Sequence, residues 1–206
     1  MKPADQKIYL ASKSPRRREL LRQVGIEFEL LMLRESAGRG PEVSEEVIAG
    51  EAAFDYVSRV TREKAEFAEK AMYWRRLRMR PILTADTTVT IDGNILGKPA
   101  DTDEAIAMLS TLSGRTHQVM TSVAIKTADG FWQATQVSSV SFARLSEQQI
   151  LHYCSLPEPY DKAGGYGIQG YAAAFITEIQ GSYSGIMGLP LYETTQLLQQ
   201  AGIGNL

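Results

Sequence analysis

Hydrophobic positions in this chain alternate between short apolar runs and stripes of helical spacing, a pattern that predicts an α/β fold. The run Ile8-Tyr9-Leu10-Ala11 predicts the first strand. Ser14 and Pro15 then read as an N-cap and first helical position, followed by Leu20, Leu21 and Val24 on one face. A short strand is expected near residues 28–33 and a loop at 37–41. A long helical stretch covers residues 53–78, with Tyr56, Val57, Val60 and Ala68 inward. Pro81 opens a buried strand, Ile82-Leu83-Thr84-Ala85, which leads into Asp86 and on to Ile91.

The second half is patterned by turns. Asp92-Gly93 predicts a two-residue hairpin turn, with residues 94–98 returning. Counting back from that turn sets Ile91 opposite Asn94 and Thr87 opposite Lys98, so Lys98 comes within reach of the Asp86–Thr87 end. Asp101 with Glu104 opens a helix as a capping box, and Ser146 with Gln149 opens another through Tyr153. Between them, residues 119–126 and 131–143 form the arms of a second hairpin turning at Asp129-Gly130. The last third holds a Gly-rich loop (161–170), a strand at 173–179, a second loop and a helix at 192–200. The resulting class is α/β, a mixed twisted sheet with flanking helices.

Composition narrows the classes. At 206 residues the chain can build one well-buried domain or two lobes sharing a core. A net charge of −2 gives no general attraction to nucleic acid or an anionic membrane, so any phosphate binding must be local. The single Cys154 excludes an intramolecular disulfide and fits a reducing compartment. No signal-peptide core is visible, and no apolar run approaches the ~20 residues of a membrane helix. The expectation is a cytoplasmic protein with neither nucleic-acid nor membrane partners.

The densest chemistry lies in Ser12-Lys13-Ser14-Pro15-Arg16-Arg17-Arg18. It places three arginines in the first turns of a helix, where unpaired N–H groups and the dipole already concentrate positive charge. Cations accumulate at that end if an anion sits among them, and phosphate is the natural candidate. Asp86, at the end of an apolar run, must be paired, metal-bound or exposed in a cleft. A surface salt bridge with Lys98 is the plain alternative to metal binding or water activation. The loop at 161–170 has a backbone that can approach a ligand closely, although such runs are often only loops. His117 is read as structural, and Arg115 as a solvated turn residue. The basic run Arg75-Arg76-Leu77-Arg78-Met79-Arg80 is a solvated helix end or a binding patch.

Taken together, these segments closely resemble the Maf family of nucleoside triphosphate pyrophosphatases. The matching stretches lie at 12–20 (S-x-S-P-R-R-x-x-L), 56–65, 85–89, 96–101, 112–119, 161–170 and 181–191, in family order across nearly the whole chain. The resemblance implies hydrolysis of a nucleoside triphosphate to the monophosphate and pyrophosphate with a divalent cation, Mg²⁺ or Mn²⁺. It implies an inosine-triphosphatase-like architecture, one domain of two lobes around a central cleft, often as a homodimer. The catalytic aspartate falls on Asp86, as base or metal ligand. Substrate contacts fall on Ser12, Arg16, Arg17, Thr87, Lys98, Lys162 and Gln169, and Glu35 is a candidate second carboxylate for the metal.

Within the family this chain resembles the dTTP- and UTP-hydrolysing branch, whose specificity positions fall on Arg16, Thr87 and Gln169. A sister branch favouring 7-methyl-GTP tends to carry Glu where Gln169 stands. A carboxamide can donate to O4 of thymine or uracil and accept from N3–H, whereas a carboxylate only accepts, which suits guanine. The alternatives are another base preference within the same chemistry, or a nucleotide-binding regulator of cell division (septum formation) without turnover. A nucleic-acid-binding module, resting on the run at 75–80, is a third.

Overall fold

The computed structural model describes residues 7–33 and 43–203. It is a mixed α/β fold around one seven-stranded sheet of order β2-β1-β3-β5-β6-β7, with β4 paired to β3 off that path. Strands β1 (Ile8–Leu10) and β2 (Phe28–Leu30) run parallel, as do β1 and β3 (Ile82–Ile91). Strand β4 (Asn94–Leu96) and the long pair β5 (Thr116–Lys126) and β6 (Phe131–Phe142) are antiparallel, as is β7 (Ile176–Gln180) against β6. The expected α/β class and both hairpins are present.

Among the described residues six α-helices flank the sheet: α1 (Pro15–Gln23), α2 (Ala53–Trp74), α3 (Thr102–Leu112), α4 (Glu147–Cys154), α5 (Tyr183–Met187) and α6 (Leu191–Gln200). Helix α2 packs on β3 and β5 through a buried stripe that includes Val57, Val60, Thr61, Ala65, Ala68 and Met72, spaced three and four apart. Helices α5 and α6 pack on β5 and β6, so the central strands are covered on both faces. One core joins Leu10, Leu20, Leu21, Leu83, Ile125, Leu189 and Leu198. A second joins Val89, Leu109, Leu112, Phe142, Tyr153, Tyr166 and Phe175 at the other end of the sheet. Among the described residues no helix is long and apolar enough to cross a membrane.

Three local expectations are corrected. Helix α2 stops at Trp74 rather than residue 78, and Arg75 donates back to the Met32 carbonyl at 2.7 Å. The strand expected at 173–179 begins as a 3₁₀ turn, Tyr171–Phe175, and extends only from Ile176. Residues 183–187, expected as loop, form α5, capped by Ser182, whose Oγ accepts from the Gly185 N–H at 3.0 Å. The loop expected at 37–41 lies outside the described residues.

The β3–β4 register is the one counted from the turn: Ile91 faces Asn94 and Val89 faces Leu96. Pairing stops there, so Lys98 lies beyond the ladder. On the same edge of β3, β1 pairs only as far as Leu83. From Thr84 to Thr88 no described strand covers that edge, while β5 continues along the other. The edge left open where two neighbours diverge is where such sheets form clefts.

Candidate active site

Strand alternation distributes the chemistry of β3 over both faces of the sheet. Asp86 points to the α2 side, as Thr84 does, whose Oγ1 donates to the Thr61 carbonyl of α2 at 3.0 Å. Thr87 points to the opposite side, toward α1 and α5. Because the β3 edge is open between them, both side chains line one cleft of about 890 Å³. Asp86 is therefore a mid-strand residue opposite Ser122, and not the end of a strand.

On the α2 side, Lys64 binds two carboxylates at once. Its Nζ lies 2.7 Å from Asp86 Oδ1 and 2.6 Å from Glu45 Oε1. The segment carrying Glu45 has no regular structure, yet α2 holds three successive carbonyls of it. Arg59 donates to Ser44 and Glu46 at 3.4 and 3.0 Å, and Tyr56 Oη donates to Glu45 at 2.9 Å. Arg59 is itself fixed by a forked contact with Glu51, at 2.7 and 2.9 Å. Burial works to raise the Glu45 carboxyl, but Lys64, with Lys98 and Arg17 behind it, holds it below the usual range. Burial and the nearby Asp86 and Glu45 charges push Tyr56 up to about 12.

On the other side, Arg17 is held by three neutral acceptors. Its Nε donates to the Gly188 carbonyl at 2.7 Å, Nη1 to Ser12 Oγ at 3.1 Å, and Nη2 to Thr87 Oγ1 at 3.2 Å. Burial lowers the Arg17 pKa, and Asp86 opposes that shift. The arrangement supplies hydrogen bonds but no direct carboxylate contact, so this partly buried charge lacks a close counter-ion among the described residues. The Thr87 hydroxyl has a fixed polarity. Thr121 Oγ1 donates to the Gly185 carbonyl at 2.7 Å, so its 2.9 Å contact with Thr87 uses the Thr87 proton.

The remaining expected residues converge less tightly. Arg16 lines the cleft 3.8 Å from Asp161 Oδ2, whereas Arg18 turns away and donates to the Lys13 carbonyl at 2.9 Å. Ser14 occupies the N-cap position without a side-chain cap, and its N–H donates to Ser12 Oγ at 3.2 Å. Lys98, Lys162 and Gln169 line the same cleft, with the Lys162 ammonium donating to Asp161 and to the Glu158 carbonyl. Glu35 lies outside the described residues. Glu45 and Lys64 are the charged groups that sequence reasoning missed. Lys64 had a signal, since a lysine between Val60 and Ala68 falls on the inward stripe of α2. Glu45 had none.

His117 is buried away from the cleft wall, with Nε2 2.6 Å from Tyr166 Oη and its ring edge-on to Phe142. Among the described residues no group of three or more His, Cys, Asp or Glu gathers to hold a metal. Asp86 and Glu45 form the pair of hard oxygen donors able to do so. The cleft thus sets the Asp86–Glu45 pair opposite Arg16, Arg17, Lys98 and Lys162, with Asp161 among these cations, an arrangement suited to a polyanion accompanied by a metal.

The Maf-like protein family matches residues 7–201, and the chain belongs to it. Among its relatives, a protein of Aromatoleum aromaticum named dTTP/UTP pyrophosphatase is 51% identical over 98% of each chain. Proteins of the same name from Ralstonia nicotianae and Nitrosospira multiformis are 54% and 48% identical, over 95% and 97% of this chain and 94% and 96% of theirs. The solved structure of the Staphylococcus aureus Ham1 protein shares 14% identity at a TM-score of 0.44, covering 66% of this chain and 72% of that one.

Proposed function

We propose that this protein hydrolyses dTTP and UTP to the nucleoside monophosphate and pyrophosphate. The observation that carries the reading is the opposition, across one cleft, of the Asp86–Lys64–Glu45 cluster to the partly buried Arg17. Relatives of about 50% identity over nearly the full chain are named for that activity.

In this reading Arg17, with Arg16, Lys98 and Lys162, receives the triphosphate oxygens. Water adds to the α-phosphorus, the bond to the bridging oxygen breaks, and pyrophosphate departs with both electrons of that bond. Asp86 takes the proton of the attacking water or holds the metal. A divalent cation fits here on donor chemistry, because two carboxylates already converge on one cationic point. Asp86 and Glu45 would hold it, and it would neutralise phosphate charge and acidify bound water. Lys64 fixes both carboxylates until substrate enters. Thr87 acts through Arg17, since its proton is committed to Thr121. Gln169 reads the pyrimidine edge. The chain is a single domain of two lobes, a reading supported by the two cores at opposite ends of the sheet.

Pyrophosphate release from a panel of triphosphates with Mg²⁺ tests the proposal. Release from dTTP and UTP well above that from GTP is expected. Nucleotide binding with no release from any triphosphate would leave a nucleotide sensor instead.

A further inference from the structure

Gln169 sits at the corner of a turn closed by the Gly170 N–H donating to the Gly167 carbonyl at 3.1 Å. No helix or strand includes this turn, and Ile168 is the residue of it that packs against a core, so hydrogen bonds must set where Gln169 sits in the cleft. The structure shows which ones do. Glu158, in a 3₁₀ turn (Glu158–Asp161), accepts from the Tyr171 N–H at 2.8 Å through Oε2. Its Oε1 accepts from Tyr153 Oη at 3.0 Å and from the Ala172 N–H at 3.4 Å. Tyr153, fully buried in the second core, thereby fixes the carboxylate. The carboxylate, braced by that phenol, therefore holds the main chain that leaves the turn.

Two glycines show how closely the clamp fits. A Cβ on Gly170 would lie 2.2 Å from Glu158 Oε2, and one on Gly167 would lie 2.7 Å from Lys162 Cε. The turn fits only where those side chains now lie. The clamp also has a matched polarity. Tyr153 O–H and the Tyr171 and Ala172 N–H groups all donate, and an ionised carboxylate only accepts. An amide at 158 would turn donors against donors.

We propose that Glu158, anchored by Tyr153, is the positioning residue that fixes Gln169 for base selection. It touches no substrate atom. The proposal rests on the reading of Gln169 given above, and the variants are chosen to separate the two.

The experiment compares kcat/KM for dTTP and GTP in the full-length wild type, Glu158→Gln, Gly170→Ala, Gln169→Ala and the double variant Glu158→Gln/Gln169→Ala. Glu158→Gln is expected to lower the dTTP-to-GTP ratio about tenfold, mainly through a higher KM for dTTP. Gly170→Ala, which displaces the carboxylate while keeping every clamp side chain, should reproduce that loss. The double variant should be no less selective than Gln169→Ala alone. If Glu158→Gln does not fold, Tyr153→Phe takes its place in the comparison and should lower the ratio severalfold. Equal losses on both substrates would make Glu158 merely structural and overturn the proposal. Loss of selectivity in Gln169→Ala, with none in the clamp variants, would overturn it and leave the Gln169 reading intact. Unchanged selectivity in Gln169→Ala would overturn both.

Discussion

Lys64 donates from Nζ to Asp86 Oδ1 at 2.7 Å while holding Glu45 at 2.6 Å, so one ammonium balances two of the carboxylates that line the cleft. Removing it leaves two negative groups facing each other in a partly buried site. Lys64→Met should lower kcat about 100-fold, because the two carboxylates it holds in place would then repel each other out of position. The pH profile provides the sharper test. Lys64 is the chief charge holding Glu45 below the carboxylate range, so its loss lets that carboxyl rise. The acidic limb of kcat/KM in Lys64→Met should then move to higher pH. An unmoved limb would separate Glu45 from the titrating step.

Arg17 is fixed by geometry as much as by charge, with three donors on three separate acceptors. A lysine there keeps the charge but cannot reach Gly188, Ser12 and Thr87 together. Arg17→Lys should raise KM for the triphosphate about tenfold or more. Thr87→Val should raise it less, because the fork loses one acceptor of three. Equal KM in wild type and Arg17→Lys would mean that the charge alone suffices. Steady-state kinetics at fixed Mg²⁺ decide between them.

What the sequence disclosed follows from locality. The Asp92-Gly93 turn sets the β3–β4 register within a few residues, and the register counted from it is the one observed. Ser14-Pro15 likewise marks the start of α1, where Arg17 enters the cleft. Residues that act across the sheet left fainter traces. Lys64 was legible as a charge on an apolar stripe, but its partner Asp86 is 22 positions away. Glu45 lies in a segment without periodicity, and only the side chains of α2 give it a place. Glu158 depends on hydrogen bonds to the main chain at 171, whose geometry no side-chain pattern records. The 183–187 helix is five residues long, too short for a periodic signal, and its Gly185 and flanking Gly188 read as loop.

His117 makes stability depend on pH in a definite direction. Burial lowers its pKa from 6.5 to about 4, so it is neutral in the folded protein where the unfolded chain would protonate. The unfolded state then binds more protons, and its stabilising contribution, complete above pH 6.5, is lost as pH falls toward 4. Between pH 7 and pH 5 the loss should be about 2 kcal/mol. Denaturant unfolding at the two pH values measures it. His117→Gln, although less stable at pH 7, should show a smaller difference between pH 7 and pH 5 than the wild type, since carboxylate contributions are common to both. A difference of equal size would place the pH dependence elsewhere.

Gly164 and Gly114 share a φ of +70° but differ in what surrounds them. A Cβ at Gly114 would meet its nearest atom, in Arg144, at 3.6 Å, an ordinary contact. One at Gly164 would meet Cβ, Cγ1 and Cγ2 of Val89 at 3.0 Å each. Val89 is 2% exposed and belongs to the second core, so it has little room to move aside. Gly114→Ala should therefore cost about 1 kcal/mol, the price of the left-handed backbone alone. Gly164→Ala bears the same backbone term plus overpacking, a further 1–3 kcal/mol. Because Val89 also lines the cleft, Gly164→Ala should raise KM as well, whereas Gly114→Ala should leave it unchanged. Melting curves and steady-state kinetics on the two variants measure both effects, and equal destabilisation would show that Val89 yields without cost.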